Sequence, residues 1–471
     1  MSENFEKIAY DTPDWLTLDE NGHAKSIDTL ALSKEISQQY PLVAVPFNND
    51  IKYYEFDGVA WNSVKEKTAR ASFERRALAE LEKYNAYNVR RMIDVGKTSL
   101  VNAVIKYNPF DNQRTNILAF ENGTYNIETN DIVPNNPDNY LVNGHHIALD
   151  TNSDAPNIEK WGSYLFGKSW QFMKELIGYA FIPEYKTFNI ITIIVDEMGG
   201  TGKSHFFSTI INQMIGEKNI VSKDMDTIAG SNGKSARFGL SGLHEKLVNL
   251  HLDLPDTRID VPDVLRSLSG GDKIDIESKN ADSVSLTFYA LLLFGANQTP
   301  NIAINTALSQ RIKIVPVQAP RVRERPDEQA KRAKLWSEEE AIKELGAFAY
   351  TVLQAYKQAK QRGAFSISDE MKVATKEWNE RQDLVTMFLR DAKKETIENA
   401  GGATKEQAWL LFEKWLDENG IKSKIQRKQF NAQMEKLGYV SIKTRKHQSA
   451  EDSKSTSSSW DGLNLDPYFN Q

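Results

Sequence analysis

The chain of 471 residues contains no cysteine, which excludes disulfides, thiol catalysis and zinc fingers. Long hydrophobic runs are missing too: ITIIV and ALLLF fall far short of the roughly 20 residues of a membrane span. The start, MSENFEKIAYD, has no basic segment leading into an apolar one, so the expectation is a cytoplasmic protein with no membrane partner. Histidine is scarce, at seven residues, and only His145 and His146 are adjacent. Side chains next to each other on a strand point to opposite faces, which argues against a metal pair. Nor is there a surplus of positive charge: a formal net charge of -6 argues against nucleic acid meeting the whole surface and leaves local charge to decide. What is present, 40% apolar and 26% charged residues, is the composition of a soluble globular protein. The length predicts two or three folding units.

Residues 1–155 mix strand-like runs (LVAVPF, KYYEF) with one helix on which Phe73, Ala77, Leu81 and Tyr84 recur at helical spacing. NILAFENGTYNIETNDIVP predicts a hairpin turning at Glu-Thr-Asn-Asp, and the whole region is expected to be an accessory or oligomerisation domain. A helical segment is expected from Trp161 to Ile182, where Pro183 ends it. Over 156–320 short apolar strands alternate with helices, the pattern of an α/β unit on a largely parallel sheet. The charged stretch from Ala319 to Glu340 is expected to be an exposed linker. With the helix stripe Ile342, Leu345, Ala349, Val352 and Tyr356, closed by Gly363, it fills a linker and helical lid over 321–380. Residues 381–471 predict three helices and a strand, which suggests a winged-helix module, with SKSTSSS as a flexible wing or tail.

The chemistry concentrates in IIVDEMGGTGKSHFF, residues 193–207. An apolar β-branched run precedes the glycines and an amphipathic helix follows, the setting that a phosphate-binding loop requires. Gly199, Gly200, Thr201 and Gly202 allow backbone N–H groups to curl round a phosphate, Lys203 reaches its outer oxygens, and Ser204 can ligate Mg²⁺. Glu197 stands where the usual pattern has its first glycine. About 50 residues on, LVNLHLDLPD brings Asp253 to a strand end, expected next to the first strand, as the acid for the metal. SLTFYALLLFGANQTP reads as one buried strand ending at Asn297, suited to orienting an attacking water. SQRIKIVPV then places Arg311 before another strand, from which it could reach a neighbouring subunit's nucleotide.

This ordered set resembles the superfamily 3 helicases, and within them the phage/plasmid primase-helicase family that also contains the poxvirus primase-helicase. GGTGKS is similar to that family's Walker A, LHLDLPD to its Walker B, GANQTP to its sensor asparagine and SQRIKIVP to its arginine finger. SLSGGDKIDIESK resembles its pre-sensor hairpin element, which implies that Lys279 and Lys273 face DNA. FENGTYNIETNDIVP is similar to the family's N-terminal region. The resemblance implies an AAA+-like P-loop NTPase core that binds ATP and Mg²⁺ and assembles as a homo-oligomer, a hexameric ring. Lys203, Ser204 and Asp253 would act in cis and Arg311 in trans while single-stranded DNA threads the channel. Leu254 follows Asp253 where many such motors carry a second carboxylate, so the general base lies between Asp253 and Asp256.

Near the C-terminus, KSKIQRKQFNAQMEKLGYVSIKTRK forms a basic patch in an acidic chain. Lys424, Arg427 and Lys428 sit on or beside a helix whose other face is apolar, and Lys443, Arg445 and Lys446 follow on the wing, so duplex origin DNA is the expected partner. The reading is an ATP-dependent replicative helicase or replication initiator of a phage, plasmid or other mobile element. Its alternatives are a bifunctional helicase-primase and a DNA-binding initiator with a degenerate nucleotide site.

Overall fold

A computed structural model describes residues 12–47, 50–111, 113–184, 187–229, 240, 242–254, 262–276, 284–300, 302, 306–393, 404–419, 425–445 and 456–460. The chain divides into two compact units, Met1–Lys372 and Val373–Gln471. It is a mixed α/β protein with a parallel sheet and helices. Among the described residues no helix is long and apolar enough to cross a membrane.

The first unit is built on a five-stranded, all-parallel sheet: β1 (Ile191–Val195), β2 (Ile220–Val221), β3 (Val248–His251), β4 (Leu291–Ala296) and β5 (Ile312–Pro316), in the order β2-β3-β4-β1-β5. Every residue of β1 and β4 is buried, as a strand covered on both faces requires. Each fully buried Ile, Leu or Val contributes roughly 1.5–3 kcal/mol over its exposed state, which is ample reason for these runs to settle at the centre. The order corrects one expectation. The strand leading to Asp253 is not adjacent to β1, because β4 lies between them.

Other elements depart from the sequence pattern for local reasons. The apolar run before Asn297 is two strands: Val284–Thr287 pairs antiparallel with Lys273–Ile276 in a separate hairpin, and only then does β4 begin. The segment from Trp161 breaks at Gly167 into helices Pro156–Phe166 and Trp170–Tyr179. The expected hairpin has three strands, Ile117–Phe120, Gly123–Asn126 and Ile132–Val133, because Glu121 and Asn122 already make a tight turn. The expected linker holds helices Pro326–Ala333 and Glu338–Lys343, one opened by proline in its first turn and the other capped by the Ser337 hydroxyl. Gly363 closes helix Leu345–Arg362 in the left-handed conformation, as its position suggested. Upstream, helix Glu66–Lys83 buries Ala69, Phe73, Ala77 and Leu81, and the antiparallel strands Leu42–Phe47, Asp50–Phe56 and Trp61–Val64 lie in the same region.

The second unit holds helices Leu384–Lys393, Lys405–Glu418 and Arg427–Lys436 and an antiparallel pair, Ser441–Arg445 with Thr456–Trp460. Phe388, Phe412, Trp415, Phe430, Met434 and Trp460 form its core. The serine-rich run expected to be flexible therefore carries a paired strand, anchored by Trp460, whose ring lies 4.0 Å beneath the Lys405 ammonium.

Candidate functional site

In open parallel sheets ligands bind beyond the carboxyl ends of the strands, and here that edge carries a cavity of about 480 Å³. It is lined by Asp196, Gly200, Gly202, Lys203, Ser204, His205, Ser222, His251, Leu252, Asp253 and Asn297. They gather at the ends of four strands: the glycine loop after β1, Ser222 after β2, Asp253 after β3 and Asn297 after β4.

The loop owes its shape to Asp196. This carboxylate, 3% exposed, accepts from the Gly199 N–H at 3.0 Å and the Thr201 hydroxyl at 2.8 Å. Gly199, Gly200 and Gly202 all hold positive φ, at 60°, 67° and 96°, which side-chain-bearing residues rarely adopt. Lys203 opens the following helix, whose middle turn, Phe207–Ile211, is a π turn. Its ammonium is buried and donates to the Leu252 carbonyl at 3.4 Å. Burial pushes the Lys203 pKa down, while Asp196 and Asp253 pull it back up. Beneath it Gly295 leaves no room for a side chain: a Cβ there would sit 2.9 Å from the Lys203 Nζ and 2.9 Å from the Leu252 carbonyl oxygen. His251 is fixed between its neighbours, Nε2 donating to the Asp253 carbonyl at 3.1 Å and Nδ1 accepting from the Ser222 hydroxyl at 3.1 Å.

Among the expected residues, the structure brings Gly200, Gly202, Lys203, Ser204, Asp253 and Asn297 to one cavity. Gly199 and Thr201 shape the loop without lining it, and Glu197 is exposed and also lies off the lining. Arg311 is elsewhere, donating to the Arg266 carbonyl and, at 3.0 Å, to the Ser269 hydroxyl. Lys273 is exposed on its hairpin strand, whereas Lys279 and Asp256 lie outside the described residues. In the second unit Arg427 and Lys428 are exposed on their helix. Lys424 and Lys446 fall outside the described residues, and of Lys443 and Arg445 only the backbone, on a strand, is described. His145 and His146 do face opposite ways, His145 buried and bonded through Nδ1 to the Ile215 carbonyl at 3.0 Å, His146 half-exposed beside Asp57 at 3.3 Å.

Sequence reasoning passed over Asp196, His251, Ser222 and Gly295. Asp196 had a legible signal, an acid at a strand end five residues before a threonine in a tight loop. The set offers backbone N–H groups, one buried ammonium, a hydroxyl and an exposed carboxylate. Such a set fits a polyphosphate held with a hard, oxygen-seeking cation, for which Ser204 and Asp253 could supply oxygens.

Comparison with known proteins adds three findings. Residues 195–311 match a family described as a family of unknown function (DUF5906), and residues 36–167 match one described as D5 N terminal like. No curated protein matches the chain. The fold is similar to the apo structure of the NrS-1 C-terminal region, with a TM-score of 0.51 and 12% identity over 92% of this chain and 99% of that one. An A form of the same region matches with a TM-score of 0.49 and 12% identity, over 93% of this chain and 100% of that one.

Proposed function

We propose that this chain is an ATP-dependent, ring-forming DNA helicase of a mobile element, of the phage primase-helicase type. The observation that carries the reading is the convergence on one cavity of a glycine loop, Lys203, Ser204, Asp253 and Asn297 from three strands of a parallel sheet. The D5 N terminal like match supports the replication class, and the likeness to the NrS-1 region supports the fold. In this reading 156–320 is the superfamily 3 motor, a P-loop core, with 1–155 as accessory and oligomerisation domain. Residues 321–380 are linker and lid, and 381–471 a winged helix. ATP would sit on the glycine loop, and Ser204 and Asp253 would hold Mg²⁺, which would supply charge neutralisation at the phosphates. Lys203 binds the outer phosphate, Asn297 orients the water, Asp253 or Asp256 takes its proton, and Arg311 of the adjacent subunit stabilises the transition-state charge.

Single-stranded DNA meets the hairpin through Lys273 and Lys279. Such contacts to phosphate ignore sequence, as translocation demands. Duplex origin DNA meets Lys424, Arg427, Lys428, Lys443, Arg445 and Lys446 of the second unit. Steady-state ATPase, with and without single-stranded DNA, tests the core of the reading. Wild type should hydrolyse ATP faster with DNA and Lys203→Ala should lose at least about a hundredfold; hydrolysis indifferent to Lys203 sinks it.

A further inference from the structure

The segment after the sheet, charged enough to look like a linker, folds back onto the glycine loop of its own chain. The Val322 and Arg323 N–H groups both donate to the Gly200 carbonyl, each at 3.0 Å. Further along, a Cβ on Gly202 would lie 2.9 Å from Nη1 of Arg332. The guanidinium therefore rests against the loop backbone where any side chain at 202 would need to go.

Arg332 is also held more firmly than a surface arginine. Its guanidinium carbon lies 5.4 Å from the ring centroid of Trp161 and 5.2 Å from that of Trp336, two indoles stacked 5.6 Å apart. Its side chain is 15% exposed, and Nη2 donates to Glu338 at 3.0 Å. The other oxygen of Glu338 lies 2.9 Å from Nε2 of His205, a cavity-lining residue on the first turn after Lys203. Two aromatic faces and a carboxylate thus fix one cation behind the loop, and a preorganised charge acts more strongly than one on a freely rotating chain. Arg332 does not line the cavity, so it works through the loop.

We propose that Arg332 is a same-chain positioning residue of the nucleotide site, bringing a fixed positive charge to the glycine loop, with Glu338 as the anion that moderates it. The inference rests on the nucleotide reading and deepens it: the phosphates are attracted by Lys203 in front of the loop and by Arg332 behind it. The two side chains of the pair must then have opposite effects, which a purely structural ion pair does not produce.

Titration of the full chain with a fluorescent ATP analogue, at low and moderate salt, tests this. Arg332→Gln should weaken binding roughly five- to tenfold, and Glu338→Gln, which keeps an acceptor for Arg332, should tighten it about two- to fivefold. Both effects should shrink as salt rises. Arg332→Lys retains the charge and should recover most of the loss. Unchanged affinity in Arg332→Gln, a Lys variant as weak as the Gln variant, or weaker binding in Glu338→Gln would each overturn the inference while leaving the nucleotide reading intact. Wild type that binds no analogue in a Lys203-dependent way removes that reading, and this inference with it.

Discussion

Glu197 is the residue that stands out in the sequence, yet its neighbour Asp196 does the structural work. A buried carboxylate with two donors is worth roughly 1.5–3 kcal/mol per charged hydrogen bond, so Asp196→Ala should loosen the loop and lower the melting temperature, whereas Glu197→Ala should leave it nearly unchanged. Gly295 makes a sharper prediction. Gly295→Ala puts a methyl group against the Lys203 ammonium and the Leu252 backbone, and overpacking of this kind costs about 1–3 kcal/mol. Nucleotide affinity should fall with stability in a calorimetric titration. A third residue, Glu245, gives a pH dependence. Burial alone would raise its pKa, but a hydrogen bond from His244 and the Lys52 ammonium, 2.7 Å away, overcome that and hold it at about 2, below the ordinary 4.5. A depressed carboxylate stabilises the fold fully above its unfolded value and loses that contribution as pH falls from about 4.5 toward 2. Glu245→Gln should therefore cost on the order of 2 kcal/mol at pH 7 and much less at pH 3, read from denaturant melts at the two pH values.

At the scale of elements, what was legible followed from strong periodicity and caps. Helix Glu66–Lys83, the buried β1 and the Gly363 stop could be read because one face, one run and one glycine each carried the signal. Strand order could not be read, since the pattern of β3 says nothing about β4 coming between it and β1. The break between Val284–Thr287 and β4 was hidden because no glycine or proline stands between the two strands to mark it. The expected linker misled through its charge, although Pro326 at a first helical turn and Ser337 as a cap were visible, and Trp336 in its midst is buried. The serine-rich strand was hidden because serine has no burial pattern, and only Trp460 at its end betrays it. Removing a fully buried tryptophan costs about 3–5 kcal/mol, so Trp460→Ala should unfold the second unit as seen by limited proteolysis. In the proposed function that variant loses duplex binding and retains ATPase; intact duplex binding in an unfolded second unit would remove the DNA role given to it.

For the molecule as a whole, Lys203, Ser204, Asp253 and Asn297 meet at one cavity, and Arg311 is bonded to its own Arg266 carbonyl away from them. If Arg311 serves a neighbour, Lys203→Ala and Arg311→Ala proteins, each inactive alone, should recover about a quarter or less of wild-type ATPase when mixed, because some interfaces then pair an intact loop with an intact arginine. A mixture as inactive as its parts would place the arginine's role within its own chain or nowhere. The sequence could order these residues but not say which of them share a chain, since spacing carries no information about assembly. The hairpin has a mechanical side as well. Its strand Val284–Thr287 runs into β4 through Phe288, Tyr289 and Ala290, and the Tyr289 hydroxyl is tied to Asn143 at 3.0 Å. Tyr289 therefore ties down the short connection between the hairpin and the strand that leads to Asn297.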